Sequence, residues 1–174
     1  MKYMLVTTIL VDLLKHRPRA VAAQLDALDA DDTVCMSFVT FAALLAGAGR
    51  SLRKPETVRR LEQVSRLIPV AYPDTSAICC HYAEQFTRLR VADTPIGAND
   101  FWIGCHALAE SATLVTHNEH EFRRLVGLAV VNWAADRKAE TGEQTGRPRR
   151  RVPVGDRGKS VTRNGCMTDG RRIF

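Results

Sequence analysis

The chain has 174 residues, 45% of them hydrophobic, which suits one domain with its own core and falls short of two ordinary domains. Its charge is unevenly divided. Residues 1–134 carry 14 basic and 14 acidic side chains, so the whole net charge of +6 comes from residues 135–174. The sequence pI of 9.4 therefore describes the C-terminal part of the chain and not the domain.

The C-terminal part, residues 135–174, is rich in Gly and Arg, has few large apolar side chains and shows no hydrophobic period. This composition predicts a basic, disordered extension beyond a domain of residues 1–134. Its arginines at 147, 149, 150 and 151 could bind phosphate nonspecifically, but a solvated basic tail is the more common meaning of such a cluster. No function is assigned to it.

Five cysteines form no CxxC pair, and Cys79 and Cys80 are adjacent, which is an awkward geometry for a mutual bridge. Buried, reduced thiols are the favoured interpretation. The N-terminal apolar segment is too short to span a bilayer and lacks a small-residue cleavage site after a basic start. These features predict a cytoplasmic protein.

Short apolar runs alternate with segments of helical periodicity along the domain. Strands are predicted at residues 4–11, 33–39, 68–71, 112–116 and 128–133. Helices are predicted at residues 11–16, 18–28, 40–48, 55–67, 75–89, 99–111 and 120–125. This alternation predicts a parallel sheet with helices on both sides. Ligands of such sheets bind beyond the carboxyl ends of the strands, here residues 6–8, 40–43, 99–100 and 117–121.

Several stretches match one family in order and spacing: MLVTTIL, SFVTFAALLAGA, PIGANDFWIGCHA, TLVTHNEHEF and the closing LAVVNWA. With them, residues 1 to about 134 resemble the PIN domains, and within these the VapC toxins of type II toxin-antitoxin pairs. The resemblance implies a three-layer α/β fold with a central, mostly parallel sheet of about five strands. It also implies a magnesium-dependent endoribonuclease, with Mn²⁺ as a possible substitute, whose partners are RNA, a cognate antitoxin and a second copy of the chain.

The resemblance also points to departures from the family. Val6 stands where the family has Asp, and Ala43 stands where it has Glu, so neither side chain can ligate a metal. Thr8 replaces the usual Asn, whereas Asp100 matches the acid of the third motif. Mg²⁺ is held by hard oxygen ligands, and the bound ion polarises the phosphate and activates the attacking water. With two carboxylates absent, we therefore expect weak metal binding and lost or impaired cleavage.

The fourth motif supplies the remaining candidates. Asn118 occupies the Asn-or-Asp place, Glu121 matches the acid before Phe, and Glu119 lies nearby. By resemblance, the catalytic residues are Asp100, Asn118 and Glu121, and the metal ligands are Asp100 and Glu119. Alternatives stay open: Asp100 as a helix cap, and residues 118–121 as an ordinary polar loop favoured by the helix dipole. A module that binds antitoxin or RNA without cutting is the alternative function.

Histidines and tryptophans invite further hypotheses. His117 and His120, with His106, could suggest zinc, but no motif completes a site and hydrogen-bonded or solvent-facing histidines are favoured. Trp102 and Trp133 stand among apolar residues, which favours core positions over RNA stacking.

Overall fold

The computed structural model describes residues 1–15, 19–72 and 74–133. Its strands are β1 (Lys2–Leu5), β2 (Thr33–Ser37), β3 (Val70–Ala71), β4 (Thr113–Val115) and β5 (Val130–Val131). Its helices are α1 (Thr7–Lys15), α2 (Arg19–Asp26), α3 (Phe38–Gly49), α4 (Lys54–Leu67), α5 (Thr75–Val91), α6 (Ala98–Ala109) and α7 (Glu119–Phe122). The strands form one sheet in the order β3-β2-β1-β4-β5, with every neighbouring pair parallel. The predicted α/β fold is confirmed.

One predicted strand is wrong over most of its length. Residues 4–11 were expected to be extended, but β1 ends at Leu5 and α1 begins at Thr7. Ile9 and Leu10 are fully buried within that helix, so tertiary packing overrides the β preference of the run. The other elements occur in the predicted order, with ends that differ by a few residues.

The change from β2 to α3 has a local cause. The Ser37 hydroxyl accepts a hydrogen bond from the backbone N–H of Val39 at 3.2 Å, so Ser37 caps the helix that starts at Phe38. The strand therefore stops two residues before the predicted end of the β-rich run.

The hydrophobic core surrounds the central strand. Met4 and Leu5 on β1 and Leu114 and Val115 on β4 have no exposed surface. Trp133 is 5% exposed and packs on Tyr3, with ring centroids 5.5 Å apart. Trp102 stacks on Tyr82 at 4.4 Å and packs against the core. The core interpretation of both tryptophans is confirmed.

The cysteine prediction is half right. Cys35 and Cys105 are buried, and burial raises the pKa of the Cys105 thiol to about 12. Cys79 and Cys80, both on α5, are free but exposed. No described helix is long and apolar enough to span a membrane. Pro18, Cys166 and the predicted disorder of residues 135–174 lie outside the described residues.

Candidate functional site

The site lies where the chain leaves the carboxyl ends of the central strands. Val6 follows β1 directly, and Ala43 lies on α3, which begins where β2 ends. Asp100 lies in the first turn of α6, and Asn118 precedes α7 shortly after β4. Parallel strands bring these distant segments to one edge of the sheet.

Val6 is part of the hydrophobic core. Its side chain is 3% exposed, and its backbone N–H donates to the carbonyl oxygen of Val115 at 3.2 Å. Ala43 is half-buried and Thr8 is exposed. The two positions at which the family resemblance predicted acids therefore offer an isopropyl and a methyl group, and neither has a lone pair to give to a cation.

Asp100 is the acid that α6 contributes. It is half-buried, and burial raises the pKa of its carboxyl, with the nearby charge of Glu121 raising it further. The N-cap residue of α6 is Gly97, and no side chain caps the helix from within. Among the residues that the structure describes, Asp100 makes no capping hydrogen bond, so the alternative role as a helix cap is not observed.

Glu121 uses both of its carboxylate oxygens. Oε1 accepts the backbone N–H of Gly97 at 2.9 Å, and Oε2 accepts Nδ2 of Asn118 at 2.6 Å. The Gly97 bond is the main reason why the pKa of Glu121 lies below its usual value. Asn118 is anchored in turn, since its N–H donates to Oγ1 of Thr116 at 3.0 Å.

Glu119 points to a different partner. It forms an ion pair with Arg123 one turn later on the same short helix. Within the described ranges, no three His, Cys, Asp or Glu side chains lie close enough to hold a metal ion. Asp100 and Glu121 are close enough for the charge of Glu121 to raise the pKa of Asp100, whereas Glu119 is paired with Arg123. Because Mg²⁺ keeps several waters and binds through one or two carboxylates, this pair fits only a weakly held ion.

The histidines are hydrogen-bonded, as the sequence favoured. Nδ1 of the buried His106 lies 2.9 Å from Oγ of Ser37. His117 lies between two oxygens at 3.2 Å, Oδ2 of Asp12 and Oδ1 of Asn132. These contacts orient both imidazoles.

Sequence reasoning missed three of the residues involved, namely Ser37, Gly97 and Asp12. Gly97 stands two residues before the predicted helix start at residue 99, and a Gly near a helix start is a capping signal that could have identified it. Ser37 also carries a local signal, because a Ser before a predicted helix is a common N-cap, but nothing local marks its contact with His106. Nothing local marks Asp12, because its partner His117 is 105 positions away.

One five-stranded parallel sheet flanked by helices is the architecture of a PIN domain. The PIN domain family matches residues 3–128, and the chain belongs to this family. Within it the chain is similar to ribonuclease VapC1 of Haemophilus influenzae, with 40% identity over 133 residues that cover 76% of this chain and 98% of that protein.

Solved structures of VapBC complexes are similar to this chain in fold and sequence. VapBC-1 from nontypeable Haemophilus influenzae superposes with a TM-score of 0.73 at 40% identity and covers 77% of this chain and 99% of that one. VapBC2 from Rickettsia felis, bound to a DNA fragment from their promoter, gives a TM-score of 0.73 at 32% identity and covers 76% and 99%. The recognition of a VapC-like PIN domain is confirmed, and its relatives are ribonucleases of toxin-antitoxin complexes.

Proposed function

We propose that this chain is a cytoplasmic VapC-type toxin component whose RNA cleavage is lost or impaired. The observation that carries the proposal is Val6, a core side chain 3% exposed at the end of the central strand. A bound Mg²⁺ or Mn²⁺ supplies a Lewis acid for the phosphate and an activated water. Here Asp100 remains as a free carboxylate, and Glu121 is already bonded to Gly97 and Asn118.

Restoring the two missing acids tests this proposal. The double variant Val6→Asp plus Ala43→Glu is expected to cleave RNA with metal, while the unmodified chain shows no cleavage above background. Each single change should restore less than both, because carboxylates that share one cation act as a unit. A further Asp100→Asn change should abolish the restored activity.

Two outcomes would contradict or refine the proposed loss of activity. Metal-dependent cleavage by the unmodified chain that disappears in Asp100→Asn means that the proposed impairment is wrong. A double variant that folds and binds metal but cuts no RNA means that Thr8 or another departure also inactivates the site.

Metal affinity gives a second measurement. Calorimetric titration of the unmodified chain with Mg²⁺ or Mn²⁺ should show no site tighter than about millimolar, since few carboxylates remain to hold the ion. A micromolar site that is lost in Asp100→Asn would show that other groups complete the cage.

A non-catalytic role in antitoxin binding is the second candidate. The observation that favours it is an apolar groove of about 430 Å³ between α5 and α6, close to the helix start that carries Asp100. Its apolar lining includes Tyr82, Phe86, Leu89, Ile96 and Phe101. We assign the groove to an apolar segment of a cognate antitoxin, because the solved relatives are toxin-antitoxin complexes. Neither missing acid lines it.

Titration with the protein encoded beside this gene tests the second candidate. Phe86→Asp should weaken binding at least about tenfold, on the order of 1.4 kcal/mol. Leu52→Asp is the matched control, because Leu52 is fully exposed and lies outside the groove. Equal loss in both variants, or in neither, contradicts the assignment. We also propose that the chain forms a homodimer, as the family resemblance implies. Light scattering of this chain alone tests it, with a mass of twice 19.3 kDa expected.

A further inference from the structure

Helix α6 begins without a cap of its own. Its N-cap residue is Gly97, which has no side chain to accept the first N–H groups. Asp100 is the third helical residue after that cap, the position from which the Glu or Gln of a capping box reaches back to the N–H of the N-cap residue. The Asp100 side chain is one methylene shorter than that of Glu, and within the described residues the Gly97 N–H goes to a different acceptor.

Glu121, from a distant part of the chain, makes the hydrogen bond to the N-cap N–H that an acid at the third helical position makes in a capping box. Its Oε1 accepts the Gly97 N–H at 2.9 Å, although the two residues are 24 positions apart. Asn118 fixes the other carboxylate oxygen at 2.6 Å. A second bond ties the same two segments together, because the Arg124 guanidinium donates to the carbonyl oxygen of Pro95 at 3.0 Å.

We propose that Glu121 caps α6 from outside the helix and is a positioning residue for Asp100. By taking the Gly97 N–H, it leaves the Asp100 carboxylate free of capping bonds and fixed in the first turn, where it can face a ligand. The inference rests on the proposed function only in treating Asp100 as the retained site acid. It differs from the catalytic role that the family resemblance implies for Glu121.

Amide hydrogen exchange at Gly97, measured by NMR on the metal-free chain, tests the cap directly. Glu121→Ala should accelerate this exchange at least about tenfold, because the acceptor is removed. Glu121→Gln keeps an acceptor oxygen, and the Asn118 amide can turn its oxygen toward the new NH₂ group, so exchange should rise less than about threefold. Glu119→Gln is the matched control and should change nothing, since Glu119 pairs with Arg123. Equal Gly97 exchange in all four proteins overturns the proposal.

Metal affinity separates positioning from ligation. In the Val6→Asp plus Ala43→Glu background, Glu121→Gln should change Mn²⁺ affinity less than about threefold and Glu121→Ala should lower it about tenfold or more. Asp100→Asn should remove binding. If Glu121→Gln is as damaging as Asp100→Asn, Glu121 is a ligand and the proposal is wrong. If the double variant binds no Mn²⁺ at all, the interpretation of positions 6 and 43 fails, and Gly97 exchange still decides the cap.

Discussion

Oγ of Ser37 lies 2.9 Å from Nδ1 of His106, and both side chains are fully buried. The same hydroxyl accepts the N–H of Val39 and so caps α3. One Ser therefore joins α3, which carries Ala43, to α6, which carries Asp100. The other ring nitrogen of His106 has no hydrogen-bond partner in the described part of the chain.

This contact predicts a pH dependence of stability. Burial lowers the pKa of His106; Glu110, 3.8 Å from Nε2, opposes the shift and Lys2 reinforces it. The unfolded chain binds a proton near pH 6.5 and the folded chain only at lower pH. The buried neutral imidazole therefore contributes fully to the free energy of unfolding above about pH 6.5, and this contribution is lost as the pH falls below that value. Urea denaturation from pH 7.5 to 5 should show a steeper loss in the unmodified chain than in His106→Gln.

His120→Gln is the matched control for that series, because it makes the same substitution at an exposed histidine outside the core. Parallel curves for the unmodified chain and His106→Gln would contradict the prediction.

Asp100 should cost the fold some stability. Its raised pKa means that folding disfavours the ionised carboxylate. The free energy of unfolding therefore falls as the pH rises from the ordinary pKa of Asp through the raised pKa of Asp100. At pH 7 without metal, Asp100→Asn should raise Tm by no more than about 2 °C, the size typical of substitutions outside the core. The exposed Asp31→Asn serves as the comparison and should leave Tm nearly unchanged. A lower Tm in Asp100→Asn would show that the carboxylate stabilises the helix start.

Close packing explains why Gly104 lies within α6. A Cβ at this position would approach Cδ1 of Leu125 to 2.2 Å, and Leu125 is only 2% exposed. Gly104→Ala should therefore lower the free energy of unfolding by about 1–3 kcal/mol in chemical denaturation. Gly47→Ala on α3 meets nothing within 4 Å and should instead stabilise by about 0.5–1 kcal/mol. If both substitutions raised the free energy of unfolding by a similar amount, the core would adjust to the added methyl group at no cost, and the prediction would be wrong.

The domain of residues 1–134 should fold by itself. The family match ends at residue 128, and residues 135–174 contain few large apolar side chains. Thermal unfolding of residues 1–134 should give a Tm within about 5 °C of the full chain, a shift worth on the order of 1 kcal/mol. A larger fall would show that the C-terminal part packs on the domain.

The sequence alone determined the order of the elements, the parallel sheet and the family. These follow from local signals, namely apolar runs of strand length, helical spacing and motifs such as PIGANDFW, which includes Asp100. The prediction that Val6 and Ala43 stand at acidic positions of the family rests on the same kind of signal, because a motif position can be identified without knowledge of its neighbours in space.

Only the tertiary structure decided where β1 ends and what Glu121 and His106 contact. The run of residues 4–11 favours a strand locally, yet burial of Ile9 and Leu10 makes a helix from Thr7. The Gly97–Glu121 and Ser37–His106 contacts join residues 24 and 69 positions apart. Such pairs form because packing brings whole elements together, and neither partner carries a local pattern that specifies the other.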